Sequence, residues 1–207
     1  MIKASSINKC WEKSMKYFLL NANSREICGK EYFILEHLSV QARNYIFDQT
    51  LSDFCLWQLK NRDYYLSQVS MPGKNSEMKR LYSYGPSKIN QYDNAINVLK
   101  KRKNIKPIVI CIYDPSKDNR DYVPTPCINN ILLDLYDGII NMHVSYSTIN
   151  LFRMGLLDCH QMAYLHHKIA YDSGKKVGLL TIDSFQVYMP LFDYIISRQI
   201  FGVNGNL

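Results

Sequence analysis

Glycine is scarce in this chain of 207 residues, at 9, and none of the six cysteines forms a C-x-x-C pair with another. The lack of such pairs removes zinc-site spacing, and a chain of this size has no need of a disulfide framework. No window approaches the roughly 20 apolar residues that a membrane-spanning helix needs. The opening residues Met1-Ile2-Lys3-Ala4-Ser5-Ser6 carry no apolar signal-type stretch, so a cytoplasmic protein with no membrane contact is expected. Repeats, low-complexity tracts and linker compositions are also missing. One domain over residues 1–207 is the reading.

The composition has the balance of a packed globular chain, with 47% hydrophobic and 21% charged residues. The formal net charge of +7 favours an anionic partner. The densest basic run, Lys100-Lys101-Arg102-Lys103, lacks the interleaved aromatics of a single-strand binding surface. It reads as a solvated helix end, and a nucleic-acid partner is not expected.

The apolar spacing gives an α+β order. Residues 8–20 read as a helix with Trp11, Met15, Phe18 and Leu19 on one face. A strand follows at 31–35, and a helix at 50–68 carries Phe54, Trp57, Leu59 and Tyr64. Met71-Pro72-Gly73 opens a loop. Residues 89–103 read as an amphipathic helix with Ile89, Tyr92, Ile96 and Leu99 inward. Ile108 to Tyr113 is a buried strand ended by Asp114-Pro115. Strands at 128–135 and 139–146 flank Asp137-Gly138, a strong hairpin signal. A helix at 156–172 ends at Gly174, and a last strand covers 177–188.

Cys127 stands out by position, just before a strand and after a Pro124-Thr125-Pro126 corner. Its type and place are equally those of an ordinary buried cysteine. A longer stretch raises its interest. Pro126-Cys127, Ser147-Thr148-Ile149-Asn150, Leu151-Phe152, Asp158, Ile169-Ala170, Gly174 and Gly178 fall without a gap at the spacing of thymidylate synthases and their hydroxymethylase relatives. Upstream, Ser24-Arg25 with Gly29, Tyr82-Ser83-Tyr84-Gly85 and the strand ending Asp114-Pro115 resemble further family segments. The region Asp183 to Tyr188 matches the last family strand with a two-residue deletion. The resemblance spans about Trp11 to Tyr188, and order and spacing carry it rather than any single motif.

This resemblance implies a large mixed sheet with packed helices, and two such sheets stacked in a homodimer. It implies a thiolate that adds to C6 of a pyrimidine, a C5 that then accepts a one-carbon unit from 5,10-methylenetetrahydrofolate, and no metal. Cys127 would be the nucleophile. Tyr84 would position water near C5, with a packed aromatic as the plain alternative. Asp158 would read the base. Uracil-specific members carry asparagine there, and aspartate marks the cytidylate hydroxymethylases, because a carboxyl accepts from a 4-amino group. A first-turn aspartate stabilised by the helix dipole is the alternative. Tyr188 and Gln186 would contact the nucleotide, Arg25 and Lys106 its phosphate. Ser147 stands where the family has the arginine that touches phosphate and nucleophile. Asn150, in place of the pterin-reading aspartate, and Trp57 belong to the folate side. Ile128 replaces a family histidine, Phe54 a family glutamate with Asp53 beside it, and Lys106-Pro107 a pair of arginines. The chain ends about nineteen residues after Tyr188, short of the family's closing segment. A cytosine-type nucleotide is thus the first expectation. The lost arginines point instead to a substrate without phosphate, or to a non-catalytic relative.

Overall fold

The computed structural model describes residues 1–43, 62–73, 76–119 and 125–203. Among these, seven strands and seven helices follow in the order β1 (Ile2–Ala4), α1 (Ile7–Asn21), β2 (Asn23–Ile27), β3 (Lys30–Ala42), α2 (Arg62–Ser70), α3 (Lys79–Tyr82) and α4 (Gln91–Lys101). Then come β4 (Ile105–Cys111), α5 (Pro115–Asp118), β5 (Ile128–Tyr136), β6 (Ile139–Asn150), α6 (Gly155–Ser173), β7 (Lys176–Pro190) and α7 (Leu191–Ile200). The strands form one mixed sheet ordered β1-β3-β7-β6-β5-β4, with β2 also paired to β3. The expected α+β class with a large mixed sheet and packed helices is what the chain forms.

Alternation along the strands buries one face. Ile131, Leu133, Ile140, Met142, Val144, Leu180 and Ile182 lie under helices, joined by Trp11, Met15 and Phe18 of α1. The opposite face carries the register row Val109, Leu132, His143, Thr181 and stays partly open, with Val109 54% exposed. α1 is started by Ser6, whose hydroxyl accepts from the Lys9 N–H at 3.3 Å. The Trp11 indole donates to the Leu151 carbonyl at 2.9 Å, fixing α1 to the end of β6.

Some local readings shift. β3 runs to Ala42 rather than ending near residue 35, because the exposed Glu36-His37 pair interrupts the apolar alternation that resumes at Leu38, Val40 and Ala42. Ile89 is not on α4. Asn90 caps that helix through the Asp93 N–H at 3.0 Å, and Ile89, 48% exposed, instead bridges Tyr84. Of the helix expected at 50–68 only residues 62–68 are described, within α2, so Phe54, Trp57 and Leu59 lie outside the described residues. The helix α7 was not anticipated. It is tied back by Arg153, whose guanidinium holds the buried Asp193 carboxylate at 2.6 and 2.8 Å.

The hairpin signal holds, with Asp137 and Gly138 at φ 48 and 74, the twist that a two-residue loop needs. β6 and β7 are parallel, so α6 must carry the chain back between them. Gly174 ends α6 at φ 68, where a side chain would be strained. Gly178 is demanded by space. A Cβ there would lie 2.3 Å from the Asn141 Oδ1 and 2.7 Å from the Ile140 carbonyl oxygen. The Asn141 Oδ1 is itself held, accepting from the Leu179 N–H at 2.9 Å. We therefore expect Gly178→Ala to cost about 2 kcal/mol or more. Thermal unfolding would read this as a Tm lower by about 4–8 °C. An unchanged Tm would refute the close approach.

Candidate active site

Six segments of the chain meet at one cavity of about 520 Å³. α2 supplies Tyr64, Tyr65 and Gln68, and the segment before α3 supplies Ser76, Glu77 and Met78. Cys127 precedes β5, Ile149 and Asn150 close β6, Asp158 and Gln161 face in from α6, and Tyr188 from β7. Of the residues expected at the site, Cys127, Asp158, Asn150 and Tyr188 line this one cavity together.

Cys127 is held by its backbone. Its N–H donates to the Glu77 carboxylate at 3.1 Å, and its carbonyl accepts from the Ser147 N–H at 2.8 Å. The Ser147 hydroxyl also points to that carbonyl, at 3.2 Å. Ser147 therefore supports the backbone of Cys127 rather than its sulfur. The next residue, Thr148, is the polar neighbour that pulls the thiol's pKa down. Asn150 and Tyr188 are partners in the β6–β7 ladder, and Asn150 pulls the Tyr188 pKa down against the rise caused by burial. The Asn150 Oδ1 also accepts from the Arg153 N–H at 3.1 Å.

The electrostatics are acidic. Burial raises the pKa of the Cys127 thiol, and the carboxyls of Glu77 and Asp158 raise it further; only Thr148 opposes them. Burial likewise raises Glu77, against the pull of the Ile128 and Cys127 N–H groups and of Arg80. Burial, and then the charge of Glu77, push Asp158 up to about 8, so its carboxyl is protonated through neutral pH. Among the described residues lining this cavity there is no lysine or arginine. The thiol therefore lacks the cationic neighbour that ordinarily favours a thiolate.

The other expected residues are elsewhere. The Tyr84 hydroxyl donates to the Tyr113 carbonyl at 2.9 Å, and Tyr84 does not line the cavity. Arg25, on β2, is paired with Glu36 at 2.5 Å. Lys106 is exposed on the edge strand β4. Gln186 sits on β7 opposite Glu36 and Thr148, outside the cavity lining. Trp57 lies outside the described residues. No group of three or more His, Cys, Asp or Glu suited to a metal ion occurs among the described residues.

Sequence reasoning missed Glu77, Thr148, Tyr65 and Gln161. Glu77 is the sole carboxylate between Asp63 and Asp93, which was its only visible signal. Tyr146, fully buried on β6, was missed as well. Its hydroxyl has no hydrogen-bond partner among the described residues, and it feels the charges of Asp158 and Glu77.

No family model matches the chain, and no curated protein matches it.

A protonated Asp158 has a consequence for stability. Its folded pKa lies above its unfolded one, so its contribution is fully present at acid pH and is lost as pH rises through about 8. Asp158→Asn removes that loss. Urea unfolding across the range should show the variant gaining on the native chain between about pH 4 and pH 8. A constant difference between the two would mean that Asp158 titrates normally.

Proposed function

We propose that this chain is a thymidylate synthase-like one-carbon transferase, acting in the cytoplasm on the C5 position of a cytosine-type pyrimidine by addition of the Cys127 thiolate to C6. The observation that carries this reading is the convergence of Cys127, Asp158, Asn150 and Tyr188, from four separate segments, on one cavity.

The chemistry follows from their protonation. A neutral Asp158 carboxyl offers one donor and one acceptor, which match N3 and the 4-amino group of an aminopyrimidine. Moving its proton toward N3 withdraws electrons from C6 and favours attack there. The thiol needs a base, and Glu77 is hydrogen-bonded to the backbone of Cys127. Passing the thiol proton to Glu77 turns one anion into another, so the cavity gains no net charge. Burial, by raising Glu77, makes it the stronger base. Once sulfur is bonded to C6, the C5 position carries the electron density that attacks an electrophile. Loss of the C5 proton and departure of the thiolate restore the ring. Methylenetetrahydrofolate, the donor implied by the resemblance, would supply the one-carbon unit as a methylene group, which hydride from the same folate would turn into methyl, or water into hydroxymethyl. Tyr64 and Tyr65 offer ring surface for it and Asn150 a polar edge.

A second reading keeps the scaffold and replaces the nucleotide with a small molecule lacking phosphate. The absence of lysine and arginine among the described residues of this cavity favours it. For either substrate, Cys127→Ala should reduce tritium release from C5 to background. Glu77→Gln should lower it by about 10²-fold or more. Exchange that persists in Cys127→Ala would refute the nucleophile.

The reading also carries a homodimer with the open sheet faces stacked. On that face the Asn130 Oδ1 and the Asp183 Oδ1 are buried without partners among the described residues, which suits a covered surface. Light scattering should give twice the chain mass of 24.2 kDa. A monomer would count against it.

A further inference from the structure

A second cavity, of about 720 Å³, adjoins the first and shares Ser76, Glu77 and Cys127 with it. Its character is opposite. Lys79, Arg80, Lys88 and Lys117 line it, against the single carboxylate of Glu77. Two of the four cations are engaged. Arg80 grips Asp118 at 2.5 and 2.7 Å and donates to the Ile112 carbonyl at 2.6 Å, while Lys117 lies 3.5 Å from Asp114. Lys79 and Lys88 make no ion pair among the described residues, so their charges are free for a ligand.

Lys88 is also held in place. It closes a turn with Gly85, its N–H donating to the Gly85 carbonyl at 3.2 Å, and it keeps a left-handed φ of 51. The flanking Tyr84 and Ile89 exchange two backbone hydrogen bonds of 2.9 Å, and the Tyr84 hydroxyl anchors the turn to Tyr113. Hydroxyls of Thr125 and Ser83 add donors to the wall.

We infer that this basic cavity binds the phosphate monoester of the substrate whose ring occupies the first cavity, so that ring and phosphate lie on either side of Cys127. The inference rests on the proposed pyrimidine chemistry for the ring, but the anion site stands on its own residues. It replaces the positions where the resemblance placed phosphate binding, since Arg25 is spent on Glu36 and Lys106 sits on the sheet edge. Tyr84 then acts as a positioning residue for Lys88 rather than at C5.

Titration calorimetry with three probes tests this: cytidine, cytidine 5′-monophosphate and inorganic phosphate. The native chain should bind the monophosphate more tightly than cytidine. Lys79→Ala combined with Lys88→Ala should weaken monophosphate and phosphate on the order of tenfold and leave cytidine unchanged. Lys100→Ala combined with Lys101→Ala, at the end of α4, should change nothing. A monophosphate preference that survives loss of Lys79 and Lys88, or that falls equally in the α4 variant, overturns the site. Phosphate binding that depends on Lys79 and Lys88, with no binding of cytidine, supports the anion site and removes the ring reading. Cytidine binding without any effect of phosphate does the reverse.

Discussion

The parallel pairing of β6 with β7 is the constraint from which the site follows. Parallel neighbours cannot be joined by a tight turn, so α6 must run back along the sheet between them. Its 19 residues return the chain by about 28 Å. A crossover of this kind gathers the far end of β6, the first turn of the helix and the far end of β7 at one edge. Asn150, Asp158 and Tyr188 occupy those three places. β5 runs antiparallel to β6, so its beginning lies at the same edge, which brings Cys127 there through Ser147. Four residues spread over some sixty positions therefore meet by topology.

Burial then outweighs the helix field. A carboxylate in the first turn of α6 should be favoured in its charged form by the helix dipole. Asp158 is instead held protonated, because the cavity wall takes it out of water and Glu77 stands nearby. The thiol of Cys127 is raised by the same two carboxyls. Glu77, Asp158 and Cys127 thus form a set of acids with no cation on this side among the described residues, and each proton lost makes the next harder to lose. Under the proposed chemistry, such a set would move a proton within itself rather than accumulate charge.

Much of this was legible locally. Asp137-Gly138 announced the hairpin because only a left-handed pair matches strand twist, and Gly174 announced a helix end for a related reason. Gly178 was visible only as a spacing, and its cause is the backbone of β6 pressing against β7. Glu77 was not legible because its contact with Cys127 spans 50 residues and depends on a loop without periodicity. Tyr84, expected near C5, bonds the Tyr113 carbonyl and does not line the first cavity. Its local motif was clear, but motif and spacing do not report which wall a turn faces. The length of β3 was lost to two polar residues, Glu36 and His37, where tertiary pairing with β7 overrides a broken pattern.

The arginines explain where the cations went. Arg25 meets Glu36, Arg80 meets Asp118, and Arg153 meets Asp193. The last two make two-pronged contacts that join separate elements, a task suited to a planar fork of donors. Lys106 serves differently, charging the edge strand β4 beside Pro107, where the pairing with β5 is irregular; both features discourage a further strand from adding there. Lysines carry a compact charge on a flexible stem and lose less by waiting for a ligand in water. With these three arginines engaged, the cations of the second cavity without an ion pair among the described residues are Lys79 and Lys88. Cys127 consequently lines both cavities, the acidic one and the basic one. A substrate that is neutral at its ring and anionic at its tail matches the two in sign.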